Sequence, residues 1–215
     1  MGGWIDLTHP LYQGMPVWPG DTTVGITEVM TVETDGCSAQ RVDMGNHVGT
    51  HVDAPSHFVP KARDVDQLSL QAMTGPARLL SLPREQGGVI SRDDLQAALR
   101  PGDVSRRIIL RTGWGDRFAT PEFYHRFPVL TVEAAEYLAG LDLWLLGMDT
   151  PSPSPIDDPG QRIHKALLGA GVVLVESMAH LDSLPAGEID VCVLPLPLHQ
   201  ASGAPCRAIG RCCGY

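Results

Sequence analysis

No C-x-x-C spacing, no cluster of basic residues and no apolar run near the roughly 20 residues of a membrane helix occurs in this 215-residue sequence. Each absence removes a class of function. Cys37, Cys192, Cys206, Cys212 and Cys213 are odd in number and wrongly spaced for a disulfide framework or a thiolate zinc site, so they read as inert thiols. The adjacent Cys212 and Cys213 read as part of a frayed end with no role. Sixteen Lys and Arg against 25 Asp and Glu leave a net charge of −9, which argues against a nucleic-acid groove. The opening Met1-Gly2-Gly3-Trp4-Ile5-Asp6 lacks the basic-then-apolar order of a signal peptide, so a soluble, cytoplasmic protein without a membrane partner is expected. Neither a repeat of fixed period nor a polar low-complexity linker interrupts the chain, which predicts one domain over residues 1–215.

The residues present support a core, since 43% are hydrophobic. Gly 23 and Pro 18 are dispersed among apolar segments, the pattern of many tight turns. Segments 22–32, 78–82, 107–112, 141–148, 171–176 and 189–196 are short, rich in Val, Ile and Leu, and bounded by Gly, Pro or Asp; they read as strands. Helices are fewer. Ser91 and Asp94 form a capping-box pair ahead of residues 95–99, with Pro101-Gly102 as a stop. Thr131 reads as the N-cap of a helix over 132–139 ended by Gly140, and residues 161–168 read as a third helix closed by Gly169. The fold class is α/β: one mixed, strand-rich domain with a few helices around the sheets.

Chemistry concentrates in Gly45-Asn46-His47-Val48-Gly49-Thr50-His51-Val52-Asp53-Ala54-Pro55-Ser56-His57-Phe58, which holds three of the eight histidines. The spacing is H-x3-H-x-D-x3-H. On an extended segment side chains alternate faces, so His47, His51 and Asp53 are predicted to point the same way. Two imidazoles and a carboxylate on one face suit zinc, manganese or iron and leave coordination positions for water and substrate. Pro55 should end the strand and turn His57 off that face. An imidazole beside the ligands is suited to moving a proton, although His57 as a further ligand is an alternative. Taken alone, His164 reads as a surface histidine and Glu176 as a solvated strand end. They gain interest because a helix and the following strand can converge on one pocket.

These residues resemble the cyclase-type metal-dependent hydrolases, the family of bacterial kynurenine formamidase and isatin hydrolase. The resemblance spans nearly the whole chain. It begins with Asp6-Leu7-Thr8-His9-Pro10-Leu11 and Gly14-Met15-Pro16-Val17-Trp18-Pro19-Gly20-Asp21, passes through the histidine motif, and continues in Leu110-Arg111-Thr112-Gly113-Trp114 and Gly147-Met148-Asp149-Thr150-Pro151-Ser152. His164, Glu176 and Leu184-Pro185-Ala186-Gly187 close it. The resemblance implies one or two divalent ions, Zn or Mn, on His47, His51, Asp53, His164 and Glu176, with Asp53 and Glu176 shared between the two sites. It implies His57 as proton donor and acceptor, Trp18 as one side of the substrate pocket, and a homodimer or homotetramer. Trp18 in its Pro-rich loop also fits plain hydrophobic anchoring. The aromatic stretch 112–128 is longer than in the kynurenine formamidases and leaves the substrate open.

The expected reaction on a small-molecule substrate is hydrolysis of a C–N bond in an aryl formamide, amide or cyclic amide by metal-activated water. A lactone or ester hydrolase is the alternative within the family, and a non-catalytic metal-dependent ligand-binding module the alternative outside it. Amide and lactone panels separate the first two, and binding without turnover identifies the third.

Overall fold

The computed structural model describes residues 3–99 and 105–213. Its strands are β1 (Ile5–Asp6), β2 (Gly25–Met30), β3 (Ala39–Asp43), β4 (His51–Asp53), β5 (Thr74–Ser81), β6 (Val89–Ile90), β7 (Arg107–Arg111), β8 (Val129–Leu130), β9 (Leu145–Met148), β10 (Val173–Glu176), β11 (Gly187–Pro195) and β12 (Gly203–Cys212). The helices are α1 (Val32–Asp35), α2 (Leu70–Met73), α3 (Arg92–Ala98), α4 (Val132–Ala139) and α5 (Arg162–Gly169). Strands β12, β11, β5, β7, β9, β10 and β4 follow one another around a single sheet, and β4 also pairs with β12, which closes the ring. Strand β1 extends the β4 edge of β12 through Ile5 and Gly210.

Three parallel pairings, β5 with β7, β7 with β9 and β9 with β10, require crossovers, and α3, α4 and α5 lie in those connections. Such strands are buried on both faces, which explains near-continuous apolar runs such as Ile108-Ile109-Leu110 and Val173-Leu174-Val175. Ile109, Val173 and Val175 face the barrel interior with Val52 and Val191. Ile108, Leu110 and Leu174 face outward, against Leu95, Leu138 and Leu167 of the helices. A third core gathers Met15, Val24, Val48, Trp114, Phe123 and Phe127 beneath the N-terminal loop.

This alternation places the chemistry. With Val52 and Val175 inside the barrel, their neighbours His51, Asp53 and Glu176 are on the outer face, under α5.

Several expectations need correction. Residues 45–50 are not extended: β4 is three residues long, and Gly49 turns the chain at φ +61°. His47 therefore approaches Asp53 around a bend and not by strand alternation. Strand β12, ten residues long, and β3 were not anticipated. Cys212 is the last residue of β12, paired with Ile189, so the chain is ordered strand where a frayed end was expected. Segment 22–32 shortens to β2, because Thr31 caps α1 and Val32 starts it. The caps Ser91 and Thr131 act as expected, through hydrogen bonds to the N–H groups of Asp94 and Ala134. Gln161 precedes α5 in the left-handed region at φ +55°, and Gly169 is the last helical residue. The Pro101-Gly102 stop lies outside the described residues. No helix among the described residues is long and apolar enough to cross a membrane.

Candidate metal centre

Five side chains from four segments converge between the barrel wall and α5. His47 comes from the 45–50 bend, His51 and Asp53 from β4, Glu176 from β10 and His164 from the first turn of α5. His47 Nδ1 is 2.6 Å from Asp53 Oδ1, and His51 Nε2 is 3.3 Å from that same oxygen. His51 Nε2 is also 3.4 Å from Glu176 Oε2, while His164 Nε2 is 3.5 Å from Glu176 Oε1. The donors form two overlapping groups, His47 with His51 and Asp53, and Asp53 with His164 and Glu176, each with its atoms within 4.8 Å of one another. His164 and Glu176 are 7% and 4% exposed, which overturns the surface reading that each receives when taken alone.

The nitrogens that face away from the carboxylates are fixed as well. His51 Nδ1 donates to the Gly49 carbonyl at 2.9 Å. His47 Nε2 is 3.0 Å from Ser202 Oγ, and His164 Nδ1 is 2.7 Å from Ser154 Oγ. When each outer nitrogen carries the ring proton, each inner nitrogen presents a lone pair to the carboxylate cluster, the arrangement characteristic of histidine ligands to a metal.

The electrostatics suit a cation. Glu176 Oε1 is buried with no hydrogen-bond partner among the described residues. Burial, then the charge of Asp53, push the Glu176 carboxyl well above its usual range. Burial also pushes Asp53 upward, but the hydrogen bond and charge of His47, then those of His51, outweigh it and hold that carboxyl well below its usual range. Burial works against a charge on His51, yet Asp53 and Glu176 together raise it, so a proton is drawn to the position between the two carboxylates. Two buried carboxylates, one with an oxygen that accepts no hydrogen bond among the described residues, and three oriented imidazoles fit a divalent ion.

Beside this cluster opens a cavity of about 290 Å³, close to the lower end of the roughly 300–1,000 Å³ of small-ligand sites. His57, in the 3-10 turn Pro55–His57 that follows β4, stands in its wall and stacks on His47 with centroids 3.9 Å apart. It belongs to neither donor group. Burial lowers its pKa to about 4, so the ring is neutral at pH 7. Trp18 lines the cavity and also packs, edge-on to Tyr124 at 6.1 Å and tilted to Phe127 at 5.9 Å, so anchoring and pocket-lining coexist. Sequence reasoning did not single out Ser154, Ser202, Tyr124 or Asp21. Ser202 lies 155 residues from His47, and no local spacing announces such a contact.

The model of the Cyclase family, described as "Putative cyclase", matches residues 5–155. Kynurenine formamidase from Geobacillus thermodenitrificans (strain NG80-2) is 34% identical over 212 residues, which cover 98% of each chain. A solved structure described as a predicted metal-dependent hydrolase from Bacillus stearothermophilus superposes with a TM-score of 0.80 at 27% identity, over 97% of both chains. An isatin hydrolase bound to the product analogue thioisatinate shares the fold at TM-score 0.86 and 22% identity, over 96% of this chain and 91% of its own. With a match to more than half of its length and a relative that aligns end to end, this chain belongs to the Cyclase family.

Proposed function

We propose that this chain is a metal-dependent amidohydrolase that cleaves the C–N bond of an aryl formamide, amide or cyclic amide. The observation that carries the reading is the convergence of three oriented imidazoles and two buried carboxylates on the floor of a partly aromatic cavity. In it, His47, His51, Asp53, His164 and Glu176 hold one or two divalent ions, zinc or manganese. A bound ion supplies Lewis-acid activation of water and of the substrate carbonyl. Asp53 and Glu176 hold the positive charge in place, and the Ser202, Gly49 and Ser154 partners keep the imidazoles turned toward it. His57, its ring neutral and without a hydrogen bond among the described residues, takes a proton from the attacking water and delivers it to the departing nitrogen. That delivery matters because an amine anion is a very poor leaving group. Trp18 offers its ring to the aryl portion of the substrate.

The same reading places the enzyme in the cytoplasm, in keeping with five free cysteines, and as a homodimer or homotetramer. Val29, Met30, Val32 and Val42, all exposed on the β2–β3 hairpin and the turn joining its strands, support the oligomer by offering apolar surface to cover.

The test is elemental analysis of freshly purified protein together with turnover of formanilide, isatin and a lactone panel. One or two equivalents of divalent metal and faster hydrolysis of amides than of lactones are expected. A metal-replete protein that binds aryl amides and hydrolyses none would overturn the assignment.

A further inference from the structure

A second cavity opens at the other end of β10. Val173, which lines it, starts that strand and Glu176 ends it, so about 10 Å of strand, at roughly 3.3 Å per residue, lies between this cavity and the metal centre. Its volume is about 290 Å³, and it shares no lining residue with the cavity beside the metal centre. Leu68 and Val173 of the barrel core line it, together with Trp144, which precedes β9, and Gln71 of α2. This is the mouth of the barrel at the start of β9 and β10, and barrel mouths are favoured places for small ligands.

The polar groups of this lining are mostly donors. Arg63 is exposed, and its guanidinium has no hydrogen-bond or ion-pair partner among the described residues. Ser69 Oγ donates to Gln71 Oε1 at 3.3 Å, which leaves the Nε2 donor as the part of that amide still to be satisfied. No aspartate or glutamate is in the lining. Nearby, Arg107 is 6% exposed and directs its donors at the backbone carbonyls of Gln71, Ala72 and Pro76. Carbonyls alone leave the charge of a buried guanidinium without a counter-ion. In a chain of net charge −9 this is a local surplus of positive charge. The half-buried indole of Trp144 is braced by the same groups, with the guanidinium carbons of Arg106 and Arg107 at 4.7 and 5.1 Å from its ring centroid. A braced aromatic wall next to two aliphatic side chains suits a planar ring, and the donors at the rim suit an acid group on that ring.

We propose that this barrel mouth is a second ligand site, which takes a small aromatic carboxylate with its ring against Trp144, Leu68 and Val173 and its carboxylate on Arg63 and Gln71 Nε2. The site stands apart from the amidohydrolase reading, since none of its residues takes part in that chemistry.

The experiment is a calorimetric titration of the metal-loaded protein with benzoate, with benzyl alcohol as the ring without the charge and acetate as the charge without the ring. Benzoate should bind more tightly than either, by roughly tenfold. In Arg63→Gln, a change at an exposed side chain, the affinity for benzoate should fall roughly 5- to 20-fold, while that for benzyl alcohol stays as it was. The indole N–H signal of Trp144, assigned through Trp144→Phe, should shift over the same benzoate concentrations in a two-dimensional NMR titration. Benzoate that binds no better than benzyl alcohol or acetate, an Arg63→Gln variant with the wild-type affinity, or a Trp144 signal that does not move would overturn the proposal. Benzoate held by the metal centre alone gives the last two of these results.

Discussion

Of the four imidazoles around the cavity, His47, His51 and His164 have both ring nitrogens engaged, while His57 has neither engaged among the described residues. Engagement on both sides fixes a ring and its tautomer. An imidazole free on both sides, held by stacking on His47, can exchange a proton with whatever occupies the cavity. His57→Ala is therefore expected to keep its metal and its fold while turnover of amides falls roughly 10²- to 10⁴-fold, the usual contribution of a positioned acid or base. Activated esters, whose leaving groups need less protonation, should suffer less. Depletion of metal on purification, with activity restored by excess zinc or manganese, would instead make His57 a ligand. The local cluster from His47 to His57 was legible because its spacing lies within one short segment. The serines that orient His47 and His164 were not, since a hydroxyl has no spacing signature and its partner is chosen by the fold.

At the scale of elements, the bend at residues 45–50 matters more than the strand it feeds. Gly49 lies between His47 and His51 at φ +61°, and an added Cβ would fall 2.6 Å from Leu11 Cδ2. Its carbonyl is also the acceptor for His51 Nδ1. A non-glycine residue in the left-handed region costs about 1–2 kcal/mol, and Leu11 must move as well. Gly49→Ala should lower Tm by several degrees, given about 2–4 °C per kcal/mol for a chain of this size, and should weaken metal binding. Gly45→Ala is the control, because a Cβ there meets nothing within 4 Å. Equal melting temperatures and metal contents for the two variants would refute this account of the bend.

The strands were legible to unequal degrees for a related reason. β7 and β10 announce themselves with branched apolar runs buried on both faces. β12 reads Gly-Ala-Pro-Cys-Arg-Ala-Ile-Gly-Arg-Cys, with little strand propensity, and is held by pairing to β11 on one edge and to β4 and β1 on the other. Barrel closure is a long-range fact, and the sequence of a closing strand need not express it.

For the molecule as a whole, the centre is a junction. It joins β4, which completes the barrel, to β10 beside it, to α5 above it and to the 45–50 bend. A ligand that binds only the folded chain stabilises it by RT ln(1 + [L]/Kd), about 4 kcal/mol at a thousandfold excess over Kd. Chelation should then lower Tm by roughly 8–16 °C. The size of that gap depends on pH, and the sign follows from His51 and Glu176. Burial disfavours charge on His51, but Asp53 and Glu176 raise its pKa above the unfolded value; burial and Asp53 raise that of Glu176 too. Groups whose folded pKa is raised contribute stability that is complete below the unfolded pKa and disappears as pH rises through the folded one. The metal-free protein should therefore weaken as pH rises, from about pH 4–5 on account of Glu176 and from about pH 6 on account of His51, as the protons held among the carboxylates leave. In the loaded protein the ion replaces those protons, and its affinity grows as the imidazoles lose theirs. The difference in Tm between loaded and chelated protein, measured by calorimetry from pH 6 to 9, is expected to widen with pH. A gap that narrows over this range, or no gap at any pH, would mean that these five side chains are not where the ion binds.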